Sequence, residues 1–333
     1  MRCLGLEGTA HTLGIGVVDD SGRVLANHGE MYRPAVGGIH PREAANHHAE
    51  RLRPILRSTM REAGIELRDL DLVAFSQGPG LGPCLRTVAT AARALSVALG
   101  LPIVGVNHCI AHVEIGRVVT PAEDPVLLYL SGGNTQVISY ANGRYRVFGE
   151  TLDIGLGNLL DKMGRTLGFS FPAGPEIERQ ARDGHKLLSL PYSVKGMDVA
   201  FSGILTAAQS LHAKGAPVED LCFSLQETTY AMVTEVAERA MAHLEKDEVL
   251  LGGGVACNER LRTMVAEMAK EREAHMFVPS KSLCVDNGAM IAWTGILMHR
   301  AGLDLPLEET GVDQNLRTDA APAPWVTGLS EAP

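Results

Sequence analysis

Apolar residues in this chain fall into short runs closed by turn residues, and the same succession of runs occurs twice. Starting at Arg2, RCLGLEGT is an apolar run ending in small residues. LGIGVVDDSGRVLANHGEMY then supplies a second strand, an Asp-Asp-Ser-Gly turn and a third strand. From Pro125, VLLYLSGGNTQVISYANGRYRVFGET repeats the order: strand, Gly-Gly-Asn turn, strand, Ala-Asn-Gly turn, strand. Runs of this kind separated by Gly, Asn and Asp predict a three-stranded antiparallel meander in each place.

Each meander leads to a helical stretch, then to an apolar strand that runs into glycines, a further helix and a short last strand. In the first half these are HHAERLRPILRSTMREAG, DLVAFSQGPGLGPCLRTVATAARALSVALG and PIVGVNH; in the second, LCFSLQETTYAMVTEVAERAMAHL, DEVLLGGGVACNERLRTMVAEMAKE and HMFVPS. Strands alternating with helices after a meander make a mixed sheet covered by helices, so the chain reads as an α/β protein built from one unit written twice. This layout is that of the duplicated actin-like (ASKHA, ribonuclease H-like) two-lobe fold of actin, sugar kinases and chaperone ATPases, with a nucleotide cleft between the lobes. Layout alone does not give function. The expected boundaries are lobe I over 1–120, lobe II over 121–296, a C-terminal helix over about 297–320 packing back on lobe I, and an irregular tail over 321–333.

Composition agrees with two lobes. The chain has 333 residues and is 45% hydrophobic, while a single core stops growing at about 250–300 residues. Thirty-nine acidic residues against 30 basic ones give a net charge of -9, which excludes a protein that coats nucleic acid or anionic membrane by bulk charge. Any such contact must be a local patch. Arg33, Arg42, Arg51, Arg53 and Arg57 cluster in the first lobe and could meet phosphates, although the last three also read as an ordinary charged helix face. The six cysteines stand singly, without a CxxC pair, which fits a reduced compartment, the cytoplasm. No window approaches the roughly 18 apolar residues of a membrane span, and the start has no leader pattern.

Candidate chemistry sits in four places. In YLSGGNTQV, Gly132 and Gly133 would let backbone N–H groups approach an anion, or would simply make a hairpin turn. In VLLGGGVACNER, Gly252, Gly253 and Gly254 lie between a strand and a helix, where free N–H groups and the helix dipole favour a phosphate. Asn258 follows as an N-cap or a ligand contact. Neither loop matches the phosphate loop of common ATPases. In NHCIAHVEIGR, His108 and His112 stand four apart, one helical face that could share a metal or be a structural pair. The spacing is that of a zinc-protease HExxH, but Cys109 replaces the glutamate that activates water. A third ligand could be Asp286, at the start of a late helix, where it is otherwise an N-cap. Glu7 and Asp161 are further acids that read either as cleft contacts or as solvated loop acids.

LGLEGTAHTLG, GGIHPREAANHHAE, SQGPGLGPCLRTV, NHCIAHVEIGR, LYLSGGNTQV, AFSGILTA, GGGVACNERL and CVDNGAMIAWTG together resemble the archaeal and eukaryotic branch of the tRNA threonylcarbamoyltransferase family, formerly labelled O-sialoglycoprotein endopeptidase. The quoted blocks run from Leu4 to Gly295 in the family's order, and the resemblance extends to about Asp319. The resemblance implies transfer of threonylcarbamoyl from threonylcarbamoyl-AMP to the exocyclic amine of adenosine 37 in tRNAs that read codons beginning with adenine. It implies one divalent metal, iron ahead of zinc, held by His108, His112, Tyr129 and Asp286. It implies adenylate, ATP or ADP contacts at Tyr129, Leu130, Ser131, Gly132, Gly133, Asp161, Gly174, Glu178 and Asn258, with Glu7, Gly253 and Gly254 as further phosphate or cleft contacts. Implied partners are tRNA and the subunits of a KEOPS-type complex, including a separate small atypical kinase/ATPase and a small dimerising subunit. Two departures stand out: Ala173 where the family usually has a second glycine, and Met163-Gly164 where Ala-Arg or similar is common.

The expected chemistry is metal-assisted acyl transfer, with backbone N–H groups of the glycine loops on the leaving AMP and the target base drawn from an unstacked RNA loop. No side chain is identifiable as general base. The rival readings are a metallopeptidase, opposed by Cys109, and a regulatory ATPase of the actin fold, which has no need of paired histidines.

Overall fold

The computed structural model describes residues 1–34 and 37–327. The chain forms two compact units. The first comprises Met1–Pro121, Gly143–Tyr145 and the described residues from Pro279 on; the second comprises Ala122–Asn142 and Arg146–Val278.

In the first unit the expected meander is β1 (Arg2–Glu7), β2 (Thr12–Asp19) and β3 (Val24–Met31). It is followed by α1 (Pro41–Ala63), β4 (Leu72–Gly78), α2 (Gly82–Leu99), β5 (Ile103–Asn107) and α3 (His108–Val119). The five strands make one sheet in the order β3-β2-β1-β4-β5, with β1 antiparallel to β2 and parallel to β4. Period-two alternation divides the core into two layers. Leu4, Leu6, Leu13 and Ile15 pack with Ile55, Met60, Val88 and Ala92 of α1 and α2. On the other face, Cys3, Val18, Ala74 and Val104 pack with Ala111 and Ile115 of α3 and with a late helix.

The second meander is β6 (Val126–Leu130), β7 (Thr135–Ala141) and β8 (Arg144–Glu150), which lies in the second unit from Arg146 on. The chain continues through α4 (Leu156–Thr166), α5 (Gly174–Ala181), a small hairpin of β9 (Val194–Lys195) and β10 (Asp198–Val199), and α6 (Ser202–Ala213). Then come α7 (Val218–His243), β11 (Glu248–Gly252), α8 (Glu259–Glu271) and β12 (His275–Phe277). Its sheet order, β8-β7-β6-β11-β12, is that of the first unit element for element, so the duplication read from the apolar pattern is real. The helices and hairpin between β8 and α7 are not announced by that pattern. They have no counterpart in the repeated unit, although α4 carries its buried Leu156, Leu159, Leu160 and Met163 at helical spacing.

The chain then returns to the first unit with α9 (Lys281–Cys284) and α10 (Gly288–Arg300). α10 is apolar nearly all round, as a buried helix must be, and it lies directly on sheet backbone. A methyl group built on Gly288 would sit 2.1 Å from the Gly16 nitrogen, and one on Gly16 would sit 2.4 Å from the Ala289 nitrogen. That close approach fixes the start of α10, and with it Asp286. The C-terminal helix expected over about 297–320 is corrected: α10 ends at Arg300, and only single 3-10 turns follow at Leu307–Glu309 and Thr318–Ala320. Gly302, at φ +75°, turns the chain out of the helix, and Pro306 cannot resume it. The expected tail over 321–333 is irregular through residue 327, with Ala323 and Val326 buried; its remainder lies outside the described residues.

Candidate functional site

The last residue of β5, Asn107, caps α3: its Oδ1 accepts from the Cys109 N–H at 3.0 Å and the Ile110 N–H at 3.2 Å. The helix therefore begins at His108, and His108 and His112 stack one turn apart, their rings 4.9 Å between centroids and at 82°. Both are almost completely buried. Asp286 meets them from the other chain end. It is not the N-cap that its position suggests, because Asn287 caps α10, accepting from the Met290 N–H at 3.0 Å. Asp286 Oδ1 instead lies 3.4 Å from His108 Nε2 and 3.3 Å from His112 Nε2. One ligand atom from each of the three residues lies within 4.8 Å of the others, a group that could hold a metal ion.

The electrostatics favour the ligand forms of His112 and Asp286. Burial pushes the His112 imidazole toward neutrality, with His108 adding to the effect and Asp286 opposing it. For Asp286, burial favours the protonated acid, but the adjoining His108 and His112 prevail and hold its carboxyl well below the usual range.

Glu7, at the end of β1, is fully buried rather than a solvated loop acid. Its Oε2 lies 3.0 Å from His108 Nδ1, and its Oε1 accepts from the Thr9 N–H at 2.7 Å and the Thr9 hydroxyl at 2.6 Å. A carboxylate on Nδ1 fixes that nitrogen as the N–H and turns Nε2 toward Asp286, the arrangement found behind metal-bound histidines. Two imidazole nitrogens and a carboxylate oxygen, with one imidazole oriented from behind, fit a borderline divalent cation. A sequence signal for Glu7 did exist: an acid closing an apolar strand, followed two residues later by a hydroxyl that can lock it. Cys109 is fully buried and burial pushes its thiol up, so it does not replace the glutamate of a metallopeptidase.

The remaining predicted residues lie in the second unit. Tyr129 is buried at the end of β6, paired in register with Gly252 of β11, so the two glycine loops leave adjacent strands. The first loop is anchored by its own backbone, from Ser131 N–H to the Asn134 carbonyl at 2.8 Å, and by the start of α4, where Gly157 and Asn158 N–H groups each donate to it at 3.0 Å. A methyl group on Gly132, Gly133 or Gly254 would meet nothing within 4 Å. Neither packing nor a positive φ requires glycine there, and the backbone is left open to close approach. Gly253 has an internal explanation: its φ is +90° and a methyl would sit 2.3 Å from the Leu130 carbonyl oxygen.

Asp161 Oδ1 accepts from the Ala173 N–H at 2.8 Å and so sets the turn before α5, which opens at Gly174. At the start of α8, Asn258 Oδ1 caps Leu261 at 3.1 Å, its amide donates to Gln226 Oε1 at 2.7 Å, and Glu178 Oε1 accepts from the Glu259 N–H at 2.8 Å. The two departures compensate each other: a methyl on Gly164 would lie 2.1 Å from the Ala173 Cβ, so the extra carbon at 173 occupies space vacated at 164. The arginines of the proposed phosphate patch are exposed, but Arg51 is engaged by Glu30, 2.8 Å from Nε to Oε2.

Fold and site first define a class: a duplicated actin-like α/β protein with a His-His-Asp cluster in one unit and open glycine loops in the other. Within that class, the chain belongs to the TsaD family, tRNA N6-adenosine threonylcarbamoyltransferase, whose model matches residues 23–293. It is 55% identical over 326 residues to the "Probable bifunctional tRNA threonylcarbamoyladenosine biosynthesis protein" of Thermoplasma volcanium, over 98% of this chain and 62% of that relative. The chain thus spans about three fifths of the length of the curated relatives it matches. Among solved structures it resembles T. kodakarensis HypF, with TM-score 0.62 and 15% identity over 90% of this chain and 48% of that one. It also resembles component A of the Acidaminococcus fermentans (R)-2-hydroxyglutaryl-CoA dehydratase, with TM-score 0.58 and 13% identity over 91% and 99%. At these identities the two likenesses concern the fold alone. No helix of the described residues is long and apolar enough to cross a membrane.

Proposed function

We propose that this chain transfers the threonylcarbamoyl group of threonylcarbamoyl-AMP to the exocyclic amine of adenosine 37 in tRNAs that read codons beginning with adenine. The observation that carries the reading is the cluster of buried His108 and His112 with partly buried Asp286, with Glu7 behind it, in a member of this family. The amine nitrogen attacks the carbamoyl carbon, the bond from that carbon to the phosphate oxygen breaks, AMP leaves, and the amine loses one proton.

His108, His112 and Asp286 would hold one divalent metal, iron ahead of zinc, which when bound supplies a Lewis acid for acyl and phosphate oxygens. Glu7 and Thr9 keep His108 in the required tautomer. In the second unit, the open backbone at Gly132, Gly133 and Gly254 is suited to the phosphate of the adenylate, ATP or ADP. Asp161 and Glu178 offer carboxylates to donor groups of the nucleoside, with Tyr129, Leu130, Ser131, Gly174 and Asn258 beside them. The exposed Arg42, Arg53 and Arg57 of α1, with Arg33, would meet tRNA phosphates. The remaining tRNA surface would come from partners in a KEOPS-type complex, including an atypical kinase/ATPase and a small dimerising subunit, in the cytoplasm.

Reconstitution tests this reading. The chain and its partners are combined with tRNA, threonine, bicarbonate, ATP and an adenylate-forming enzyme, and modified adenosine is measured by mass spectrometry. Product is expected from the wild type and not from the His108→Ala, His112→Ala double variant. Absence of product from the wild type, or undiminished product from the variant, overturns the proposal.

A further inference from the structure

Beyond α10 the described residues have almost no regular structure, yet they are tied down at successive points of the first unit. Asp313 N–H donates to the Gln77 carbonyl at 3.0 Å, and Gln77 Nε2 donates to the Gly311 carbonyl at 2.9 Å. The N–H groups of Gly80 and Gly82 donate to the Gln314 carbonyl and side-chain oxygen, both at 3.2 Å. The segment then grips α3 at two levels. At the start of the helix, Asn107, whose Oδ1 is the cap, donates through Nδ2 to the Arg317 carbonyl at 3.3 Å. One turn from its end, Glu114 accepts from the Trp325 indole N–H at 2.8 Å. Glu114 is buried, and its other donors are the Tyr145 hydroxyl at 2.6 Å and Arg117 at 3.2 Å.

We propose that residues 311–326 form a clamp that sets the position of α3, and that Trp325 is a positioning residue for the metal centre, acting through Glu114. α3 has 12 residues, a length at which a helix does not hold itself in water, while metal ligation tolerates errors of only about 0.5 Å. Something other than the helix must therefore locate His108 and His112 against Asp286. The sheet and α10 locate one side of α3, and the clamp locates its two ends. Removing the indole N–H deprives a buried carboxylate of a donor and lets the far end of the helix shift.

This inference rests on the reading of His108, His112 and Asp286 as metal ligands, and the test separates the two. In the 333-residue chain, Trp325→Phe keeps an aromatic ring at this half-buried position and removes the indole N–H. Zinc affinity is measured by equilibrium competition against a chelator, beside the thermal midpoint of the metal-free protein. A loss of about tenfold in affinity, in the range of an outer-shell ligand change, is expected with a metal-free midpoint within a few degrees of wild type. Wild-type affinity in Trp325→Phe overturns the clamp while leaving the metal reading intact. No zinc binding by the wild type, or binding unchanged in His108→Ala, overturns both. Should Trp325→Phe fail to fold, Trp293→Phe leaves Trp325 as the sole tryptophan of the two in the chain. Its emission should then change with zinc at the midpoint given by chelator competition, and a flat emission overturns the clamp.

Discussion

The same two loops occur in both units, and they are used in opposite ways. In the first unit the turn after β1 carries side chains: Glu7 is locked by Thr9 and aimed at His108. The glycine loop between β4 and α2 is closed by the chain itself. A methyl on Gly78 would sit 1.9 Å from the Asp313 carbonyl oxygen, one on Gly80 2.5 Å from that of Thr9, and one on Gly82 2.7 Å from the Gln314 side chain. In the second unit the turn after β6 is stripped to Gly132 and Gly133, and the loop after β11 leaves Gly254 open. Duplication supplied two equivalent positions at the C-terminal ends of parallel strands, the usual ligand side of such sheets. One copy was filled with side chains able to hold a metal; the other keeps bare backbone facing outward. Glycine in the first copy serves packing, whereas in the second Gly253 does so and Gly132, Gly133 and Gly254 are left with open space beside them.

The largest test of this difference uses His48. It is fully buried in α1, and its Nε2–H donates to the Ala10 carbonyl at 3.1 Å, bracing the turn after β1. Burial lowers its pKa from 6.5 to about 4. Between those values the unfolded chain takes up a proton that the folded one refuses, so folding stability falls as pH drops from 6.5 to 4 and levels off below. The full effect is about 3 kcal/mol. Both tryptophans, Trp293 and Trp325, lie in the first unit, so their fluorescence follows it alone, and circular dichroism follows both units. Acid should lower the fluorescence-detected midpoint in wild type and much less in His48→Gln; an unchanged pH dependence in the variant refutes the brace.

Next in size is a matched pair of substitutions. Gly80→Ala should destabilise by about 1–3 kcal/mol through overpacking against fixed backbone. Gly133→Ala should leave the thermal midpoint in place and weaken AMP binding several-fold by calorimetry. Equal destabilisation by the two would erase the contrast between packing and access. Smallest is Glu7→Gln, expected to weaken zinc binding about tenfold while AMP affinity stays at the wild-type value. A loss of AMP affinity of the same size would show that the two loops do not act separately.

Much of this was legible in the sequence because it is local. The meanders follow from alternating apolar residues and turn glycines, α1, α2, α7 and α8 from helical periodicity, and the equal sheet order from repetition of the pattern. His108 and His112 could be placed on one helix face because four residues make one turn. Gly132 and Gly133 were candidates on local grounds too, but whether they served a turn or a ligand could not be read from the string. Only the packed structure shows that nothing lies against them.

What the sequence alone determined is therefore the duplicated α/β architecture and the shortlist of reactive residues, since both depend on spacing within single elements. Tertiary structure decided which of them meet. Asp286 lies 174 positions from His112, and it reaches the histidines because Gly16 and Gly288 let α10 rest on sheet backbone. Glu7 is a buried partner of His108, and the irregular C-terminal segment is tied to α3, because donors and acceptors far apart along the chain were brought within 3 Å or so of each other. No periodicity encodes those distances; they arise only when the two faces of the sheet are packed.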